Sequence, residues 1–336
     1  MTSPDDRVLR GGAFPQVTSE HRREIAIALA IVALAVVLAL TNPAYFSPSN
    51  LTDLLLANAA VLAVALGGTL VIIAGEIDIS VGSIFAISSV VAGIAATSGL
   101  PLALAALSAC VVGAALGIVN GVLVTYVGIP SIVATLAAMI GLRDGLRWTT
   151  QGAWIENLPA GFQWFGLPAS TFPVVIGALL AALVAMLAWA MRHAWIGRAI
   201  YATGSNAEAA RLVGIDPALV KCGVFVASGL LTGFGALINA VRFNQIPSNG
   251  GLGLELKAIA AVVVGGAAVT GGRGTIAGTV LGVVLLGAIG PALTFMGVSA
   301  YWERAIHGAI ILTAVGAEAV RIRRPRTALS AAVGRA

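Results

Sequence analysis

Carboxylates are scarce in this chain, and the ones inside its apolar stretches come close together. "GEIDISVG" (Gly75–Gly82) places Glu76 and Asp78 in a run that extends from Leu54 to Leu142 with no other charge. Glu255 with Lys257 and Glu303 with Arg304 fall beside later apolar runs. An ionised carboxylate is expensive in hydrocarbon, so such groups sit at an interface, line a watery cavity or carry out chemistry. Two carboxylates one residue apart can gather a coupling ion, as in an ion-coupled secondary transporter. They can also act as plain turn chemistry: Gly75 ends one helix, and Asp78 or Ser80 caps the next, where a carboxylate meets the helix dipole favourably. A third reading makes Gly75, Glu76, Asp78, Ser80 and Gly82 a gate whose closed state Asp78 holds.

Other chemistry finds little support. There is no G-x-x-x-x-G-K-[ST] phosphate loop; "GGRGT" at Gly271–Thr275 lacks the lysine and the spacing. ATP hydrolysis by this chain is therefore not expected. H-E-x-x-H and G-x-S-x-G are absent. His21, His193 and His307 are scattered, which argues against a zinc site. Cys110 and Cys222 both fall within expected helices, so no disulfide framework is expected. The chain reads as something other than an enzyme, binding no metal or cofactor itself.

The elements that position these residues follow from composition. Of 336 residues, 59% are hydrophobic and only 10% are charged, with a mean hydropathy of +0.99. A soluble domain carries about a quarter charged residues, so the chain reads as an all-α integral membrane protein. One helical crossing needs about 20 apolar residues. Ile25–Thr52 and Leu54–Gly75 each hold one, and Ile79–Leu142 has room for three. A sixth starts near Phe172 and ends at Met191. Cys222–Val241, the short Ala258–Gly272, Gly274–Gly297 and Tyr301–Val320 complete about ten transmembrane helices. Ala258–Gly272 is short enough to be re-entrant.

Cytoplasmic segments collect Lys and Arg. With ten crossings and both termini cytoplasmic, only Arg143, Arg147, Arg242, Lys257 and Arg304 of the 19 basic residues lie outside. The organisation is then a cytoplasmic N-terminal segment (1–24), a transmembrane domain (25–320) and a basic cytoplasmic tail (321–336). The net charge of +5 reflects this topology and contact with anionic membrane lipid rather than nucleic acid.

Within the domain, Gly113, Gly117 and Gly121 share one helix face, and Gly278 and Gly282 repeat the spacing, as close helix packing in lipid requires. The outer loop 143–171 holds Trp148, Trp154 and Trp164, suited to a headgroup anchor or a protein interface. The inner loop 192–221 contains a short helix over Asn206–Val213. Ser205 and Glu208 form an S-x-x-E capping box, Gly214 supplies a left-handed stop and Pro217 prevents resumption. A helix so short is marginal alone, so it docks on a partner or lies against its own bundle. Polar side chains suited to lining a path for an uncharged polar solute are Asn58, Thr69, Ser88, Asn120, Thr135 and Asn239.

Five stretches in order carry a resemblance. They are "GEIDISVGS" (Gly75–Ser83), "GIPSIVATL" (Gly128–Leu136), "GRAIYATGSNAEAARLVGI" (Gly197–Ile215), "AIAAVVVGGAAVTGGRGTIAGTVLG" (Ala258–Gly282) and "GVSAYWERAIHGAIIL" (Gly297–Leu312). From about Pro43 to Val320 the chain resembles the permease subunits of bacterial ATP-binding-cassette (ABC) importers for ribose, xylose, arabinose and related monosaccharides. Glu76, where the family commonly has Gly, and "VSAYWE" look more like the branch associated with rhamnose or autoinducer 2. Gly290-Pro291 stands where many members carry Asn. The resemblance implies a multi-pass protein of the bacterial inner membrane that forms the pathway for a monosaccharide or similar small polar solute. Its implied partners are a second copy or a homologous permease, cytoplasmic ABC ATPase subunits that hold ATP and Mg, and a periplasmic sugar-binding protein. "EAARLVG" looks like the E-A-A-x-x-x-G element that docks into the ATPase. That assigns coupling to Ser205, Asn206, Glu208, Ala209, Ala210, Arg211 and Gly214, and the outer loop looks like part of the surface that receives the binding protein.

Overall fold

The computed structural model describes residues 16–299 and 301–323. The basic tail beyond residue 323 and the first 15 residues of the N-terminal segment lie outside the described residues. Twelve α-helices carry the described chain: α1 (Gln16–Thr41), α2 (Pro48–Ile73), α3 (Val81–Thr97), α4 (Leu102–Thr125), α5 (Ser131–Thr150), α6 (Phe172–His193), α7 (Trp195–Ser205), α8 (Ala207–Leu212), α9 (Pro217–Ala240), α10 (Leu254–Val264), α11 (Ile276–Phe295) and α12 (Trp302–Arg323). Six of these, α1, α2, α4, α6, α9 and α11, are long and apolar enough to cross a membrane, and α3 is a shorter apolar helix.

Several boundaries differ from the sequence expectation, each for a local reason. The first expected span ran to Thr52, but a 3-10 turn at Pro43–Phe46 breaks it and Pro48 opens α2 at a first-turn position. Proline fits there because the first helical N–H groups lack partners anyway. Asp53 therefore lies inside α2, exposed, rather than between two spans. The outer loop was expected from Arg143; instead α5 continues through Arg143, Asp144 and Arg147 to a left-handed stop at Gln151. An exposed Asp144–Arg147 pair at 3.8 Å sits on that last stretch. The inner loop 192–221 is mostly helix, with α7, α8 and the first turn of α9 inside it. Pro217 does not merely prevent resumption of α8. It starts α9, behind an Asp216 cap whose carboxylate accepts from the Ala218 and Leu219 N–H groups.

The two most enclosed spans are α2 and α9. The most extensive helix contact is between α4 and α9, and the glycine stripe explains it. At Gly113 and Gly117 the space a Cβ would need is filled by the Gly229 and Phe225 carbonyl oxygens, and at Gly121 by Cys222. Gly229 and Gly233 on α9 meet Gly113 and Ala109 in return. Backbones pack at this distance only where neither helix carries a side chain. Gly278 and Gly282 play the same part between α11 and α10, against Gly265 and Ala261.

The Ala258–Gly272 span is the largest departure. Its helix, α10, begins at Leu254 and has only 11 residues, about 16 Å of rise. The chain reaches it from α9 through a non-helical segment, 241–253, that lies against α3. Ile246 exchanges backbone hydrogen bonds with Ile155 of the outer loop (2.9 and 3.0 Å), and both isoleucines stand where a Cβ on Gly93 would go. The Trp164 N–H donates to the Val241 carbonyl at 2.8 Å, and the Trp164 ring meets Phe172 edge-on at 4.9 Å. The outer loop is thus pinned over this segment, while Trp148 remains exposed.

Candidate functional sites: a pinned turn, an exposed helix and a charged cavity

The 74–80 segment joins α2 to α3 and is held from three sides. Gly75, at φ +86°, closes α2: the Glu76 N–H donates back to the Val71 carbonyl and the Gly75 N–H to Ile72, both at 3.0 Å. This is the expected glycine stop. The expected cap on α3 is absent, since Ser80 occupies the N-cap position without a side-chain bond into the helix. Asp78 folds back instead. Its Oδ1 accepts from the Ser80 N–H (2.9 Å) and hydroxyl (2.6 Å), and Asn120 of α4 donates to the same Ser80 oxygen at 2.7 Å. From α5, the Ser131 and Thr135 hydroxyls accept from the Ile77 and Ile79 N–H groups at 3.3 and 3.2 Å. From α9, Lys221 reaches Glu76 Oε1 at 2.6 Å.

These contacts bear on the ion-coupling reading of the two carboxylates. Glu76 is neutralised by a partner, so the two carboxylates do not form a free acidic pair for a coupling ion. Asp78 is buried, and its second oxygen has no hydrogen-bond partner among the described residues. Burial pushes its carboxyl up to about 6, against the lowering effect of the two Ser80 bonds. Gly82 ends the motif by admitting a second charged group. The position of its Cβ is taken by Glu255, the Gly251 carbonyl and Arg143. Glu255 and Arg143 lie 3.9 Å apart and mostly buried. Sequence reading put Arg143 in a loop and missed this meeting.

The same turn abuts the end of α7, which leads into the short helix α8. The Gly272 N–H donates to the Ile73 carbonyl at 2.8 Å, and Gly271 lies against Gly75 and Gly204. Gly204 and Ser205 are the last residues of α7. Ser205 is therefore not the cap of α8, and the expected capping box does not form. Asn206 is the cap, its Oδ1 accepting from the Glu208 and Ala209 N–H groups at 3.0 Å each. Ser205 is still the last helical residue of α7, whereas Asn206 has the extended backbone (φ −162°, ψ 105°) that an N-cap adopts. Gly214, at φ +82°, supplies the expected stop. Ala210 is buried and anchors α8, whereas Asn206, Glu208, Ala209 and Arg211 are exposed. Leu212 and Val213, which sequence reading passed over, are 89% and 74% exposed.

At the opposite end of the bundle lies a cavity of about 310 Å³ between the start of α2, α10, the end of α11 and the start of α12. Asp53, Arg242, Lys257, Glu303 and His307 face it. Lys257 donates to Glu303 at 2.6 Å, and the His307 Nε2 lies 3.2 Å from the Leu286 carbonyl. Burial lowers the Arg242 pKa, and the nearby Asp53 charge opposes that. The side chain of Arg304 lies outside what the structure describes.

The six expected path residues divide among these places. Asn58 alone reaches the charged cavity, its amide donating to the Leu54 carbonyl at 2.8 Å. Asn120 and Thr135 pin the Gly75–Gly82 turn. Thr69 bonds Thr279 across α2 and α11 at 2.6 Å, which is helix packing. Ser88 is buried with its hydroxyl unpartnered among the described residues, and Asn239 is half-buried near the end of α9.

Among the described residues, an all-helical bundle with several membrane-length apolar helices and close glycine packing is the architecture of a multi-pass membrane protein. Residues 50–315 match the family described as branched-chain amino acid transport system / permease component, and the chain belongs to that family. It is a permease rather than an enzyme. Among its relatives is the autoinducer 2 import system permease protein LsrC of Yersinia pseudotuberculosis serotype O:1b. That protein is 37% identical over 294 residues, covering 87% of this chain and 84% of the relative. LsrC of Yersinia pestis strain Pestoides F matches with the same identity and coverage. No solved structure matches the chain.

Proposed function

We propose that this chain forms the membrane pathway of an ABC importer for autoinducer 2 or a similar small, uncharged, sugar-like solute, in the bacterial inner membrane. It crosses about ten times with both ends cytoplasmic: α1 to α6, α9, the short α10, α11 and α12 make the crossings, and α7 and α8 stay inside. Two permeases, identical or homologous, pair side by side. ATPase subunits carrying ATP and Mg bind from the cytoplasm, and a periplasmic binding protein delivers solute to the outer loop.

The observation that carries the coupling assignment is the capped α8 with Leu212 and Val213 held outward, following an α7 whose Gly204 packs against Ile73 and the Gly75 turn. Motion imposed on α8 would reach the α2–α3 junction through the end of α7. The solute assignment leans on the relatives' description as autoinducer 2 import permeases. The test is affinity purification of the tagged chain from native membranes with identification of what accompanies it. A phosphate-loop ATPase is expected; repeated recovery of the chain alone would overturn the proposal.

A further inference from the structure

The charged cavity has features that helix packing does not require. It is lined along α2 from Asn50 to Val61, and on α10 Lys257 in its wall lies two residues from the Glu255 that meets Gly82. Four ionisable side chains and a histidine face it in an otherwise apolar bundle, where such groups mark a solute path more often than a scaffold. The Arg242 Nε is buried with no hydrogen-bond partner among the described residues. Two features of α11 keep the cavity open and polar. Gly287 and Gly290 leave room for the side chains of Asn58 and Glu303, which occupy the positions a Cβ would take. Pro291 has no N–H to give the Gly287 carbonyl four residues earlier, and both residues line the cavity.

The described lining charges balance: Asp53 and Glu303 against Arg242 and Lys257. Donors and acceptors therefore surround a space whose lining carries no net formal charge with His307 neutral, and about 310 Å³ suits a small ring. We propose that this cavity is the permease's own receiving site for a neutral polyhydroxylated solute, with Asp53 accepting from solute hydroxyls and Arg242 donating to solute oxygens. The inference rests on the importer reading above. It adds a location, residue roles and the sign of the solute's charge.

The experiment uses the assembled importer in proteoliposomes, with saturating binding protein, and tritiated autoinducer 2, L-rhamnose and D-ribose as probes. It reads solute moved per ATP hydrolysed. Asp53 and Ala57 are both exposed in the cavity wall, and thermal melting and size-exclusion profiles of D53N and A57F against wild type report that each variant is folded. Loss of one hydrogen bond to a charged group predicts about a tenfold fall in solute per ATP for D53N and for R242Q. A57F, which fills the space, abolishes uptake while hydrolysis continues. Unchanged transport in D53N and A57F overturns the site. A rise in D53N overturns the neutral-solute assignment, because removing a negative charge helps only an anionic solute. Wild-type importer that hydrolyses ATP but carries none of the three probes overturns the importer's solute class and this inference with it, whereas transport without effect of the variants overturns this inference alone.

Discussion

Asp78 is the residue on which most of the inner turn depends, and its environment makes a signed prediction. Its carboxyl ordinarily titrates near 3.8 and is raised to about 6 in the folded chain. A raised carboxylate contributes stability that is fully present below the unfolded value and lost as pH rises through the folded one. Thermal unfolding of the purified protein should therefore weaken between about pH 4 and pH 7. Asp78→Asn keeps an uncharged oxygen for the Ser80 bonds and should flatten that dependence, with stability at pH 8 no lower than wild type. A steeper profile in the variant would contradict a buried, proton-holding Asp78. Transport by Asp78→Asn separates the roles. Normal uptake means the turn geometry suffices, and lost uptake at normal membrane levels means the carboxylate works as a gate. Glu76 behaves differently because Lys221 neutralises it. Lys221→Met strands a mostly buried carboxylate, at a cost of about 1–3 kcal/mol after allowing for partial exposure. Adding Glu76→Gly should recover most of that loss, and a double-mutant cycle showing simple additivity would remove the ion pair from the account.

At the scale of elements, two predictions concern helix packing and the exposed α8. Gly117→Leu drives a side chain into the Phe225 carbonyl. Small-to-large changes in a packed interface cost about 1–3 kcal/mol or more, so α4 and α9 should separate and the purified protein melt well below wild type. A Gly117→Leu protein as stable as wild type would mean the stripe is incidental. Leu212→Asp replaces an exposed apolar side chain with a charge and should leave folding unchanged while weakening capture of the ATPase. Gly214→Val strains the left-handed stop and should lower substrate-stimulated hydrolysis with insertion intact; unchanged hydrolysis in both variants would detach α8 from coupling. Much of this level was legible in the sequence. Apolar runs gave the helical membrane class, though six rather than ten described helices are long and apolar enough to cross; Gly75 and Gly214 marked true stops, and the glycine stripes marked real contacts. What hid was whatever depends on context beyond the local pattern. The capping box failed because α7 runs through Ser205, which leaves the extended Asn206 as the cap. The 241–253 segment carries no periodic signal, because its hydrogen bonds go to the outer loop. Arg143 with Glu255, and the five groups around the charged cavity, come from helices far apart in the chain, and no local spacing could have joined them.

At the scale of the whole molecule, the arrangement links two ends of one bundle. A polar cavity is lined along α2 from Asn50 to Val61, and a pinned turn at the end of α2 touches the end of α7, which leads into the exposed, capped α8. The enclosed α2 and α9 connect the two, and α9 also carries Lys221 at the turn and leads into Arg242 at the cavity. The importer proposed above would use this connection to pass force from a cytoplasmic ATPase to a solute path. The most direct measurement is uptake of labelled autoinducer 2 into proteoliposomes holding the complex purified from native membranes, with ATP and Mg on the ATPase side and binding protein on the other. The account predicts accumulation that requires ATP hydrolysis and is indifferent to collapsing proton and sodium gradients. Uptake by this chain alone, driven by an ion gradient and unaffected by ATP, would contradict it.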